Sequence, residues 1–149
     1  MDTSLLNVKL LEEKLSGIRQ SSSRLKALAE LDRALFVSEL DDFAIAEHHL
    51  RRSLEMVLDI GRHIIAKMGW GAPADYRGIL VTLGQRGVLP LAFVTKIKGM
   101  AGYRNRLVHG YADITEEEIH ELLTVYLPDF AEFCRYILIF LEALPKKES

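Results

Sequence analysis

Val8, Leu11, Leu15 and Ile18 return at helical spacing with charged residues between them, the pattern of a helix with one apolar face. The run Ser21-Ser22-Ser23 is placed to bend or end that helix. A second helical stretch follows around Leu25, Leu28 and Leu31 and leads to Phe36-Val37-Ser38, where the pattern resets. From about residue 41 to residue 68 no proline or turn cluster intervenes. Leu50, Leu54, Val57, Leu58, Ile60, Ile64 and Ile65 spread there over a broad apolar surface, which defines a central helix. So wide a surface fits either burial inside the monomer or a helix-mediated homodimer.

Gly69-Trp70-Gly71-Ala72-Pro73 breaks the central helix, and Asp75 is placed to cap a short helix that runs to Arg86 and ends at Gly87. Pro90 opens the next, predicted to continue through Phe93, Ile97 and Met100 to His109, with Gly110 positioned to stop it in the left-handed conformation. Thr115 followed three residues later by Glu118 is a capping-box pattern, and Glu116 and Glu117 favour the same helix start. Pro128 is expected to kink or restart that last helix, after which Phe130, Phe133, Ile137, Leu141 and Leu144 form a core-facing stripe. No segment alternates with a period of two. The expectation is an all-α antiparallel bundle of five or six helices, one domain spanning residues 1–149.

Of the 149 residues 49% are hydrophobic, enough for a sizeable single core. No run of 18 apolar residues appears, and charges interrupt the first apolar residues at Lys9, Glu12, Glu13 and Lys14. Neither a membrane span nor a secretory signal is expected, and the cytoplasm is the predicted location. The single cysteine, Cys134, excludes an intrachain disulfide and is expected to pack within an apolar helix. A formal net charge of −2 gives no reason for tight non-specific binding to nucleic acid, so any such contact must be local. Lys96, Lys98, Arg104 and Arg106 supply the candidate patch, which reads equally as a solvated helix face. Glu55, Asp59 and His63 share one face of the central helix but lack converging ligands from a second segment. They are read as a solvated or ion-paired stripe with Arg51, Arg52 and Arg62 as partners, and no metal or cofactor is expected. His48-His49 and His120 are assigned no chemistry, and Trp70 is read as a loop anchor.

Polar groups crowd the end of the helix at Tyr103-Arg104-Asn105-Arg106-Leu107-Val108-His109-Gly110-Tyr111, where burial normally weakens. Asn105 and His109 lie one turn apart, so the amide can orient the imidazole, while Arg104 lies about 140° around from His109. Two chains pairing their motifs across a twofold axis would bring two arginines and two histidines into one cleft. Cleaving RNA without a metal requires a group for the 2′-hydroxyl proton, a donor to the leaving oxygen and positive charge for the transition state. Imidazole and guanidinium are the right kinds of group for these tasks.

The Arg-x4-His-x-Tyr pattern of Arg104, His109 and Tyr111 resembles the signature of HepT toxins in the HEPN superfamily. Pro73-Ala74-Asp75-Tyr76-Arg77, Gly87-Val88-Leu89-Pro90, Met100-Ala101-Gly102, Leu127-Pro128-Asp129, and the central Leu54-Glu55 and Leu58-Asp59-Ile60-Gly61-Arg62-His63-Ile64-Ile65 carry the resemblance further, over about residues 38–144. It implies a HEPN bundle forming a homodimeric, metal-independent endoribonuclease that leaves 2′,3′-cyclic phosphate ends. Arg104, Asn105 and His109 would be catalytic, and Arg106 would contact substrate. The implied partner is an MNT-type nucleotidyltransferase antitoxin that silences the toxin by transferring AMP to Tyr111. Two positions depart from the pattern: Arg51 stands where a glutamine is usual, and Thr115 where aspartate is frequent. The alternative reading is a non-catalytic interaction module that docks a nucleotidyltransferase or binds a nucleotide.

Overall fold

The structure is a computed structural model that describes residues 5–109 and 114–145; the predicted stop at Gly110 and the motif tyrosine Tyr111 lie outside the described residues. Seven helices stand among the described residues: α1 (Val8–Ala29), α2 (Arg33–Ser38), α3 (Leu40–Lys67), α4 (Tyr76–Gln85), α5 (Leu91–Ile97), α6 (Met100–Val108) and α7 (Glu116–Ala143). With α5 and α6 taken as the two halves of one interrupted helix the number is six, and no strand occurs among the described residues. The expected all-α bundle is the observed one.

The central helix α3 organises the rest. α1 and α7 pack along it and along each other, α2 packs against α7 and α3, and α4 and α6 also rest on α3. Leu50, Leu54, Val57, Ile60 and Ile64 of α3 are fully buried within the single chain, against Leu15, Ile18 and Leu25 of α1 and Phe130, Phe133 and Ile137 of α7. Burial of that order stabilises by about 1.5–3 kcal/mol per large side chain relative to exposure. The apolar surface from Leu50 to Ile65 is therefore consumed inside the monomer, while Leu40 and Ile45 near the start of α3 stay exposed.

Three boundaries differ from the sequence pattern, each for a tertiary reason. Ser21-Ser22-Ser23 does not interrupt α1, which runs unbroken through it. Serine is a tolerable helix residue when packing decides, and Ser21 is buried with its hydroxyl 3.1 Å from His49 Nδ1 on α3. The predicted helix over residues 90–109 is broken at Lys98 and Gly99 into α5 and α6. There the chain passes close to α7, for a Cβ on Gly99 would lie 3.1 Å from the Tyr126 hydroxyl. Pro128 lies inside α7 without restarting it, and the helix continues for 28 residues. The cap of α4 follows the sequence, with the Asp75 carboxylate accepting from the Gly78 N–H at 2.7 Å, and so does its stop at Gly87, whose φ of +77° is the left-handed region that suits glycine. Trp70 anchors the α3–α4 loop beneath the Arg86 guanidinium, 5.6 Å from its ring, and edge-on to Phe140. Cys134 is buried in α7, and burial pushes its thiol up to about 11.

Two glycines on facing helices test how tightly the bundle is packed. A Cβ on Gly61 would stand 2.5 Å from Ile79 Cγ2 and 3.1 Å from Leu83 Cδ1, both on buried side chains of α4. A Cβ on Gly17 meets only the flexible Met56 thioether at 2.5 Å. Gly61→Ala is expected to destabilise by about 1–2 kcal/mol even after the gain in helix propensity, whereas Gly17→Ala should stay within about 1 kcal/mol of the parent. Urea denaturation midpoints of the two variants check this, and a Gly61→Ala protein as stable as the parent would contradict the packing described.

Candidate active site

Met100 and Leu107, seven residues apart on one face of α6, are its buried residues, and Tyr103 packs partly against the core; so thin an apolar stripe leaves the rotation of this nine-residue helix to be secured by further contacts. Polar contacts on two sides do that. On the α3 side, Arg104 Nε donates to Glu55 Oε1 at 2.6 Å, and Arg104 Nη1 donates to Asn105 Oδ1 at 3.2 Å. A guanidinium has five N–H donors, and these two bonds leave three of them without a hydrogen-bond partner among the described residues. Beneath Glu55, the fully buried Tyr76 hydroxyl donates to the Leu54 carbonyl at 3.0 Å and ties the start of α4 to α3. Burial, and then the neighbouring Glu55, push the Tyr76 hydroxyl well above its usual range, so it stays a donor.

On the α7 side, Arg106 grips Glu118 with both terminal nitrogens, at 2.8 and 3.1 Å, and lies 5.3 Å over the Tyr103 ring. The Tyr103 hydroxyl donates to the same carboxylate at 3.1 Å, and burial, followed by that bond to Glu118, raises its pKa. Thr115 Oγ1 accepts from the Glu118 N–H at 3.2 Å, so the first arm of the expected capping box forms, while the Glu118 carboxylate serves Arg106 and Tyr103. Arg106 is thus a clamp between α6 and α7, and the sequence expectation of a phosphate contact there meets a guanidinium already engaged with a carboxylate.

His109 caps α6 with helical φ and ψ of −82° and −1°, its backbone N–H bonded to the Asn105 carbonyl at 3.1 Å and its side chain exposed. Arg104, Asn105 and His109 therefore share the last turn and a half of one helix. The side-chain bond of Asn105 runs to Arg104, not to the imidazole as the spacing suggested. The candidate patch is largely neutralised: Lys96 reaches Asp129 and Glu132, at 3.2 and 3.3 Å, while Arg104 and Arg106 each hold a carboxylate. Glu55, the partner of Arg104, was visible in the acidic stripe and in the Leu54-Glu55 resemblance, neither of which paired it with Arg104. Its expected partners were Arg51, Arg52 and Arg62 on the same helix, but Arg104 takes Glu55, Lys14 takes Asp59 at 3.1 Å, and His63 Nε2 accepts from the Asn7 N–H. Spacing along one helix carries no sign of the helix that will pack on it. Among the described residues no group of three or more His, Cys, Asp or Glu side chains is placed to hold a metal ion.

An all-helical bundle that ends a short helix in Arg-x4-His defines a class of protein, and the comparisons narrow it. The family model for Ribonuclease HepT-like proteins matches residues 18–137, and the chain belongs to that family. A tRNA nuclease HepT of Aphanizomenon flos-aquae is 25% identical over 140 residues, covering 94% of this chain and 95% of its own. An mRNA nuclease HepT of Shewanella oneidensis is 28% identical over 85 residues, 57% of this chain and 64% of that protein. Among solved structures, YutE, a cytosolic protein of unknown function from Bacillus subtilis, superposes with a TM-score of 0.83 at 18% identity, over 96% of this chain and 97% of its own. A tri-AMPylated Shewanella oneidensis HEPN toxin in complex with MNT antitoxin superposes with a TM-score of 0.79 at 22% identity, over 93% and 99%. At these identities the structural likeness speaks for the fold. No helix among the described residues is long and apolar enough to cross a membrane.

The two clamps predict a measurable coupling. In a double-mutant cycle, Arg106→Gln and Glu118→Gln are expected to show an interaction of about 1 kcal/mol, the exposure of both side chains keeping it well below that of a buried pair. Thermal or urea unfolding of the four proteins measures it, and strictly additive effects would remove Arg106 from its role as a clamp.

Proposed function

We propose that this chain is the ribonuclease toxin of a toxin–antitoxin pair. In this reading it is an endoribonuclease that works in the cytoplasm, uses no cofactor and has Arg104, Asn105 and His109 at its centre. The observation that carries the reading is the setting of Arg104: Glu55 and Asn105 engage two of its five N–H donors and leave three for phosphate, on the helix end that also carries exposed His109. Family membership and the two nuclease relatives support it.

The reaction needs no external nucleophile. The ribose 2′-oxygen attacks the adjacent phosphorus as a base takes its proton, the bond to the 5′-oxygen breaks, and an acid protonates the departing oxygen. The products are a 2′,3′-cyclic phosphate and a 5′-hydroxyl. Arg104 holds the non-bridging oxygens as charge builds on them, and His109 serves in proton transfer. Arg104 and His109 diverge by about 140° on their own helix. A homodimer that pairs two α6 ends would let one chain supply the clamp and the other the imidazole, with the second His109 as the remaining proton-transfer group. Glu118 secures Arg106 beside this centre, which leaves the phosphate contact to Arg104.

Arg104→Ala and His109→Ala are expected to fold normally and to lose RNA cleavage by about 100-fold or more, with activity of the parent surviving EDTA. An RNA carrying hydrogen in place of the 2′-hydroxyl at the cut site should resist. Gel assays with purified protein and defined RNAs check all three, and cutting of the deoxy substrate at the normal rate would exclude the internal nucleophile. Mixed Arg104→Ala and His109→Ala subunits should differ in activity from either mutant homodimer if the centre is shared.

For regulation we assign Tyr111, outside the described residues, as the acceptor of AMP from a nucleotidyltransferase antitoxin. Its phenolic oxygen would attack the α-phosphorus of ATP, lose its proton and release pyrophosphate, leaving a tyrosyl phosphodiester. The position two residues beyond His109 supports this, as does the AMPylated state of the Shewanella toxin that shares the fold. Each added phosphodiester brings negative charge and bulk to the end of α6, where Arg104 would otherwise meet RNA phosphate. Mass spectrometry after co-expression with the antitoxin should find AMP on the parent and none on Tyr111→Phe, which keeps cleavage activity. Modification at another residue would overturn the assignment.

A further inference from the structure

Between α1 and the first half of α3 lies an open hollow of about 560 Å³. Its rim carries Arg19 and Arg24 from α1 and Arg52 from α3; Ser21 and His49 meet through a 3.1 Å hydrogen bond, and no carboxylate is among the residues that line it. All three arginines are exposed, and none has an ion-pair partner among the described residues. This sets them apart from the motif patch, where Lys96, Arg104 and Arg106 each hold a carboxylate. In a chain of net charge −2, three guanidinium groups around a hollow whose lining holds no carboxylate make a local positive field that attracts an anion, Arg19 alone also bordering a second hollow that contains Glu142. The imidazole beside them reports the same field: burial first, and then His48, Arg24 and Arg52, push His49 below its ordinary value.

The hollow also lies next to the proposed centre. Arg52 and Glu55, the residue that holds Arg104, are both on α3, so they are separated by about 4.5 Å along the helix axis and about 60° around it. A chain of phosphates held at Arg104 therefore needs only to turn onto the adjacent face of the same helix to reach Arg52, and then Arg24 and Arg19 across the groove.

We propose that the hollow formed by Arg19, Arg24, Arg52 and His49 is a second phosphate site, which holds the backbone of single-stranded RNA away from the scissile bond. This rests on the reading of the chain as a ribonuclease. Guanidinium suits the task because it clamps phosphate oxygens in pairs and keeps its charge at any working pH. The contacts carry no base information, so the site raises affinity for long substrates without setting the cut sequence.

The test uses the whole protein and a fluorescein-labelled 12-nucleotide RNA with 2′-O-methyl groups throughout, which binds but lacks the internal nucleophile. Anisotropy titrations across a salt series give the slope of log affinity against log salt. Replacing all three arginines by glutamine is expected to reduce the magnitude of that slope by about 2 and to weaken binding roughly fiftyfold at 0.15 M salt, each single variant giving about a third of the slope change. The triple lysine variant should keep most of the slope. Cleavage of a dinucleotide should be unchanged in the glutamine variants, while KM for long RNA rises and kcat holds. His109→Ala should retain the slope of the parent, which separates this site from the catalytic reading. Salt-dependent binding that the glutamine variants lose, in a parent that cuts no RNA, would leave the phosphate site standing and remove the nuclease. A parental slope in the glutamine variants would overturn the proposal. So would a lysine variant as weak as the glutamine one, or normal RNA binding together with lost capture of a nucleotidyltransferase, which would make the hollow a protein-docking surface. Should the triple glutamine variant fail to fold, the single variants decide.

Discussion

The ion pair between Arg104 and Glu55 is the contact on which the rest of the site depends. α6 buries only Met100 and Leu107 on one face, with Tyr103 partly packed beside them, and is separated from α5 by Lys98 and Gly99, so its apolar stripe is thin and no continuous helix secures its rotation. Charge does, from two directions: Glu55 on α3 holds Arg104, and Glu118 on α7 holds Arg106 and Tyr103. Both carboxylates sit on long helices whose own positions are set by the core. The motif is thereby referenced to the two longest helices of the bundle even though its own helix is short. A pair with side chains about a quarter and a third exposed gains only modestly in stability, so its consequence lies in orientation.

The orientation matters because a guanidinium is useful to a phosphate only if its free edge faces outward. Had Glu55 taken the two terminal nitrogens, as Glu118 takes those of Arg106, the fork would be closed and Arg104 would be a clamp too. The Nε contact spares the terminal nitrogens, of which Nη1 bonds Asn105 and Nη2 bonds no described residue. Two arginines two residues apart on one helix thus receive opposite roles from the geometry of the carboxylate that meets them. The motif alone does not distinguish them, since both belong to the same short basic run.

Elements whose signals are local were legible in the sequence. The long α3, the Asp75 cap, the Gly87 stop and the Thr115 start of α7 each follow from spacing or from a single residue's backbone chemistry. What was not legible depended on a partner distant in the chain. Ser21 stays helical because α3 brings His49 to its hydroxyl, 28 positions away. The helix before the motif breaks where Tyr126 crowds Gly99. The acidic stripe of Glu55 and Asp59 found its cations on α6 and α1 and not along its own helix. For the site, the resemblance carried by Arg104 and His109 named the proposed reacting groups, and the structure shows what holds Arg104.

The distribution of charge follows from the same constraint. A short helix fixed by ion pairs has to use carboxylates close to the residues that meet a polyanion, and those carboxylates cancel much of the attraction the basic run would exert. In the proposed reading, the field that would draw a phosphate backbone comes from cations with no fixing role. Such cations occur one groove away, where α1 and α3 are already held together by Leu11, Leu15, Ile18 and Leu25 against the buried face of α3 and need no ion pair at Arg19, Arg24 or Arg52. Apolar packing is what leaves those arginines unpaired, and its scarcity at α6 is what commits the others.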